Sequence, residues 1–178
     1  MKFNIGCGKR NFGKDWIHID GGEFKHINSK DIFIKDYKEN SAELIYASHF
    51  IEYFNREEVV PLLQRWKKVL KPSGVLRLAV PNFEAYAKLY IDKKISLDDS
   101  LGPLYGKIKM GNKIIYHKTT YDYTSLRNLL EEVGMRNIRK YDWKETNHSQ
   151  FDDHSQAYFP HMDKINGILM SLNMECEK

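Results

Sequence analysis

Two glycines, Gly6 and Gly8, close a short apolar run at the start of the chain, and a carboxylate, Asp20, closes the next run, just ahead of Gly21-Gly22. Glycine lets a bound group approach the backbone closely. A carboxylate only accepts, and it can take hydrogen bonds from two neighbouring hydroxyls at once. At the carboxyl ends of adjacent strands in an open α/β sheet, where ligands sit, such a pair would address a single nucleoside-bearing ligand. The glycine pair alone is weak support, and the acid on the next strand tip gives it weight. Cys7 reads as a small packing residue lining the bend, because nothing around it marks an activated thiol. A second set of residues suits proton chemistry: Ser48-His49 after a further apolar run, His117, and the group His148, Asp152, Asp153, His154, His161 and Asp163. Histidine exchanges protons near neutral pH. The Asp-Asp-His and His-Met-Asp triplets lack ligand spacing on defined elements, so no metal site is expected.

The elements that must position these residues follow from periodicity. Short apolar runs over residues 3–6, 16–20, 32–35 and 43–47 read as four strands, separated by turns or helical stretches, which suits a parallel sheet. Residues 55–70 form the clearest helix. Asn55 and Glu58 have the spacing of a capping box, and Val59, Leu62, Leu63, Trp66, Val69 and Leu70 share one face. Pro61 removes one backbone donor inside it. Lys71-Pro72-Ser73-Gly74 stops the helix, and residues 75–80 follow as a buried strand. A helix is expected over 83–92, a long irregular segment over 96–118, and a helix capped by Thr124 that ends at Gly134. Residues 137–142 and 168–176 are the final strands.

With the elements laid out, the chain resembles the class I S-adenosylmethionine-dependent methyltransferases. The resemblance rests on Gly6-Cys7-Gly8, Asp20, Asp36-Tyr37, IYASHFIEYF at 45–54 and VLKPSGVLRLAVPNFEAY at 69–86, and it covers residues 3–142. The tail HSQAYFPHMDKINGILMSLNMEC is similar to a small bacterial and phage subgroup. The resemblance implies a Rossmann-like methyltransferase fold: α/β, with a mostly parallel central sheet and an antiparallel last strand. It implies S-adenosylmethionine as cofactor. Gly6, Cys7, Gly8 and Gly21 would line it, and Asp20 would hold the ribose. Asp36 and Tyr37 would meet the adenine, and Ser48 and His49 would lie near the methyl. Asp36 also reads as loop charge, and Ser48-His49 as a helix cap. Only about a dozen positions separate Gly8 from Asp20, the lower limit for a parallel crossover, and residues 9–15 (KRNFGKD) cannot supply a helix, so the first crossover helix is expected to be reduced to a loop. An antiparallel last strand would start on the cofactor side and bring 152–163 over the site. His161, Asp163 and His117 are therefore the catalytic candidates, with His161 taking the acceptor's proton and Asp163 orienting it.

Composition narrows the function classes. At 178 residues, with 42% hydrophobic and 29% charged, the chain suits one soluble domain over 1–178. No apolar run reaches the length of a membrane span, and the first residues lack a signal peptide's long apolar stretch. Two cysteines, Cys7 and Cys176, make no disulfide framework, and a reducing cytoplasm is the default. The net charge of +4 is spread among 24 acidic residues, so a nucleic-acid partner is not favoured over a small-molecule or sugar acceptor. A homo-oligomer would supply cover for the cofactor that the chain's start does not. Methylation of nucleic acid or protein, and a non-catalytic cofactor-binding module, are the alternative readings. A nicotinamide dehydrogenase is disfavoured because Asn11 stands where its glycine signature needs a third glycine.

Overall fold

The structure is a computed structural model that describes residues 1–110 and 113–178. Its strands in chain order are β1 (Lys2–Ile5), β2 (Trp16–Ile19), β3 (Ala42–Ser48), β4 (Leu70–Pro81), β5 (Ile108–Met110), β6 (Lys113–Ile115), β7 (Arg136–Lys140), β8 (Tyr158–Phe159), β9 (Ile168–Leu169) and β10 (Ser171–Glu177). The helices are α1 (Arg56–Val69), α2 (Phe83–Ile91), α3 (Leu97–Tyr105) and α4 (Tyr123–Glu132). Six strands form the central sheet in the order β2-β1-β3-β4-β10-β7. The β2–β1, β1–β3 and β3–β4 pairs are parallel, and β10 runs antiparallel to both β4 and β7. The expected mostly parallel sheet with an antiparallel last strand is present. Among the described residues, no helix is long and apolar enough to cross a membrane.

Alternation along the strands sorts the core. Phe3, Ile5, Ile45, Ala47, Leu76, Leu78 and Val80 pack on one face with Val59, Leu62, Leu63 and Trp66 of α1 and Leu126, Leu129 and Leu130 of α4. On the other face Leu44 and Tyr46 meet Phe12, Trp16 and Phe151. Among the described residues, no α-helix contributes to this second cluster. The crossover between β1 and β2 is a loop, as expected, and Phe12 pins it by stacking on Phe151 with ring centroids 4.7 Å apart. The Phe12 N–H donates to His18 Nε2 at 2.8 Å. The tail between β7 and β10 supplies the remaining cover.

Five expectations need correction. Residues 32–35 form turns, not a third strand. The Asp31 carboxylate accepts from the N–H groups of Phe33 and Lys35 at 3.1 and 2.7 Å, a local arrangement that competes with a ladder. Arg65 and Trp66 of α1 then clamp the carbonyls of Ile32 and Ile34. In segment 96–118, of which 111–112 lie outside the described residues, regular elements replace the expected irregular run: Ser96 and Asp99 make a capping box that starts α3, and β5 pairs with β6. The cap of α4 is Asp122, whose carboxylate accepts from the Ser125 N–H at 2.8 Å, and Thr124 lies in the first turn. The run 168–176 splits: β9 pairs with β8, and only β10 joins the sheet. Residues 71–74 bulge out of the start of β4 rather than ending before it, since Leu70 pairs with Ala42 and Val75 with Leu44. The capping box of α1 at Asn55 and Glu58 forms as read.

Candidate functional site

The carboxyl ends of β1 and β2 stand side by side, with Ile5 opposite Ile19. Gly6 and Gly8 take φ values of +72° and +54°, a region that side-chain-bearing residues rarely occupy. At Gly6 the demand is double, because an added Cβ would lie 2.3 Å from the Phe50 ring. At Gly8 it would meet nothing within 4 Å, so this part of the bend is open. Asp20 ties the two tips together: one carboxylate oxygen accepts from the Gly8 N–H at 2.8 Å and the other from the Gly22 N–H at 2.7 Å. Each oxygen keeps acceptor capacity for a further donor. Gly21 beside it is exposed. Cys7 is buried, and burial together with the nearby Asp20 charge pushes its thiol up to about 12, so it stays protonated.

Asp36 is exposed, and Tyr37 is half-buried with its ring edge-on to Phe3, near the start of β1, at 4.8 Å, so this pair is not brought to the strand tips that carry Gly8 and Asp20. Burial, then Asp36, raises the Tyr37 hydroxyl. Ser48 ends β3, and its hydroxyl lies 3.4 Å from the Asp153 carboxylate, which also accepts from Tyr46 Oη at 2.6 Å. His49 follows in the left-handed region at φ +49°. Its ring lies 5.0 Å from that of His154, and its Nε2 is 3.3 Å from Ser171 Oγ at the start of β10. Residues 152–156 therefore sit over the ends of β3 and β10, and Arg10 from the first crossover donates to the Asp152 carbonyl at 3.0 Å.

His117 is brought into this neighbourhood from the segment after β6. Its Nδ1 is 3.0 Å from the Pro103 carbonyl, and its Nε2 is 3.8 Å from Glu52 Oε1. Burial lowers the basicity of His117 and, more strongly, of His49, where His154, His117 and Arg10 add to the effect. His161 and Asp163 are placed apart, in the turn that joins β8 and β9. His161 is exposed, and the Asp163 carboxylate accepts from the Ile165 and Asn166 N–H groups at 3.2 and 2.9 Å.

The residue that sequence reasoning missed is Glu52. It is fully buried, neither carboxylate oxygen has a hydrogen-bond partner, and burial pushes the group up to about 8. A signal was present in the sequence, where one acid interrupts the apolar run FIEYF directly after the Ser48-His49 strand end. A cavity of about 310 Å³ opens beside it, lined by Phe83, Leu104, Tyr105, His117, Lys118 and Thr119. The Lys118 and Thr119 N–H groups donate to the Glu52 carbonyl at 2.8 and 3.3 Å, which fixes the cavity wall to the strand end.

No family model and no curated protein matches the chain. Solved structures do. A SAM dependent methyltransferase from Archaeoglobus fulgidus superposes with a TM-score of 0.61 at 17% identity, over 99% of this chain and 85% of that one. One from Methanosarcina mazei gives 0.55 at 15% identity, over 99% and 91%. The 1,6-didemethyltoxoflavin-N1-methyltransferase from Burkholderia thailandensis, with bound 1,6-didemethyltoxoflavin and S-adenosylhomocysteine, gives 0.56 at 10% identity, over 99% and 70%. Strand order, the antiparallel β10 and these superpositions agree: the chain has the Rossmann-like fold of the class I S-adenosylmethionine-dependent methyltransferases.

Proposed function

We propose that the chain transfers a methyl group from S-adenosylmethionine to a small-molecule or sugar acceptor, as one domain spanning residues 1–178. The observation that carries this reading is the junction of the open bend at Gly8 with the Asp20 carboxylate on the adjoining strand tip. The residues fit the cofactor. Both Asp20 oxygens are already aligned by backbone N–H groups, and each retains a lone pair for a ribose hydroxyl. Asp36, with its exposed carboxylate, and Tyr37 beside it are assigned to the adenine. Ser48 and His49 lie at the next strand end, on the methionine side. When bound, the cofactor supplies a methyl group on a sulfonium, which makes it electrophilic; the protein's part is binding, orientation and proton transfer.

The cavity beside His117 suits the acceptor, and the solved neighbour that holds 1,6-didemethyltoxoflavin supports a small molecule as the class. Of the three catalytic candidates, His117 faces that cavity, while His161 and Asp163 lie apart from it in the turn between β8 and β9. Both cysteines are unpaired and buried, which suits the reducing cytoplasm.

Calorimetry with S-adenosylmethionine, S-adenosylhomocysteine and NAD tests the reading. Binding of the first two and not the third is expected, and absence of binding by the first two ends it. Asp20→Ala should weaken both by about 100-fold or more, since two hydrogen bonds to a charged group are worth roughly 1.5–3 kcal/mol each. Unchanged affinity would mean that the ribose lies elsewhere. Transfer of labelled methyl to a metabolite extract, set against nucleic acid and protein fractions, then identifies the acceptor class, and binding without transfer would make the chain a cofactor-binding module.

A further inference from the structure

Among the described residues, Glu52 has no Lys or Arg counter-charge. Of the groups that face it, His49 Nδ1 lies 3.9 Å and His117 Nε2 lies 3.8 Å from Oε1. The other nitrogen of each ring fixes its hydrogen. His117 Nδ1 faces the Pro103 carbonyl, which only accepts, so Nδ1 carries the hydrogen and Nε2 is bare. His49 Nε2 faces Ser171 Oγ, whose own hydrogen is directed to Asn173 Oδ1 at 2.8 Å. The His49 hydrogen therefore sits on Nε2, and Nδ1 is bare. Two bare nitrogens and a carboxyl group confront each other in a space where Glu52's side chain is 1% exposed. Three acceptors this close require one further hydrogen among them, and in a buried site the neutral carboxyl is favoured over a carboxylate–imidazolium pair.

Among the described residues, the rest of the surround brings no cation onto Glu52. Tyr121 Oη is buried without a partner, and the Tyr53 ring stands edge-on to His117 at 4.6 Å. Arg56 lies over the Tyr121 ring and spends its hydrogen bonds on Thr119 and Thr120. Lys118 is paired with Glu58, Arg10 with the Asp152 carbonyl, and His154 lies against His49.

We propose that Glu52, between His49 and His117, is a proton site gated by cofactor charge. It keeps its proton while the neighbouring sulfur is neutral and releases it when a cationic sulfonium lies beside His49. The emptied carboxylate then lets His49 or His117 take the proton of a hydroxyl or amine acceptor. This rests on the methyltransferase reading and specifies its acceptor as a protic nucleophile. The balance is closed. The acceptor's lone pair makes the new bond to the methyl carbon, the broken C–S pair stays on sulfur, and the acceptor's proton goes to the bare imidazole nitrogen and is shared with Glu52. Glu52 acts through the imidazoles and is a positioning residue, whereas the histidine that meets the acceptor is the catalytic one.

No acceptor is needed for the test. S-adenosylmethionine and S-adenosylhomocysteine differ in the charge on sulfur, and their binding to the full chain is compared by calorimetry at pH 7 in phosphate and in Tris, whose ionisation heats differ. In the wild type the sulfonium compound should release roughly half to one proton more per site than the thioether, and the ratio of their affinities should rise about fivefold to tenfold from pH 6.5 to 7.5. In Glu52→Gln both compounds should still bind, with equal proton release and a ratio flat in pH; Glu52→Asp should restore the difference. Equal release by the wild type, with both compounds bound, overturns the proposal without any variant. A difference that persists in Glu52→Gln also overturns it, because the proton then comes from another group. If neither compound binds, the methyltransferase reading fails, and this inference fails with it.

Discussion

Two carboxylates on one sheet edge have opposite surroundings. Asp20 accepts two backbone N–H bonds, while the Glu52 side chain accepts none. That contrast gives Glu52 a measurable signature in stability. Its folded-state value of about 8 lies above the ordinary 4.5, so the folded chain holds this proton more tightly than the unfolded one. The associated stability is complete below about pH 4.5 and is lost as pH rises through about 8, with a slope of at most about 1.4 kcal/mol per pH unit. The buried histidines act on the other side. Burial lowers His148 to about 4, and its contribution, with those of His49 and His117, is present above pH 6.5 and lost on acidification. Thermal unfolding from pH 5 to 8 should therefore show Glu52→Gln gaining on the wild type as pH rises. Parallel curves would mean that Glu52 titrates normally. At this scale the glycine bend and Asp20 could be read from residue type and position. Glu52 could not, because its meaning comes from two histidines, one nearby in sequence and one 65 positions on, which only the fold assembles.

Elements whose signal is periodic, such as α1, were legible in the sequence, and those held by one contact were not. The α1 capping box follows from Asn55-x-x-Glu58, and Asn55→Ala should cost about 1 kcal/mol in chemical denaturation. The first crossover was legible as a loop because seven residues rich in Lys, Asn and Gly cannot make a helix. Its anchor was not: Phe12 belongs to no repeating pattern, yet it is buried among Trp16, Tyr46, His148 and Phe151. Phe12→Ala should cost about 3–5 kcal/mol, the range for a buried aromatic side chain. A cost below about 1 kcal/mol would show that the loop is held by other contacts. The run at 32–35 failed as a strand because Asp31 and α1 satisfy its backbone groups locally, a competition that apolar pattern alone does not register.

Across the whole molecule, packed helices cover one face of the sheet and loops cover the other. The parallel character of the sheet is legible in short apolar runs, whereas the strand order β2-β1-β3-β4-β10-β7 is set by pairing that no single run records. The tail's task is not, since residues 143–156 carry no periodicity. Asp153 fastens the tail by accepting from Tyr46 at 2.6 Å and from the Ser155 N–H at 2.8 Å. Asp153→Ala leaves a buried phenol without an acceptor and should cost roughly 1–3 kcal/mol. It should also raise hydrogen exchange over residues 150–157 more than in α1 or α4, and a uniform rise would show that the tail is not a separate unit.

β10 lies between β4 and β7, so residues 171–177 occupy an interior place in the sheet. During synthesis the five strands made earlier remain two unconnected pieces until residue 177 has left the ribosome. Until then β4 and β7 each present an open edge to neighbouring chains. The two open edges are closed, and the fold protected from edge-to-edge aggregation, only when residues 171–177 take their place between them.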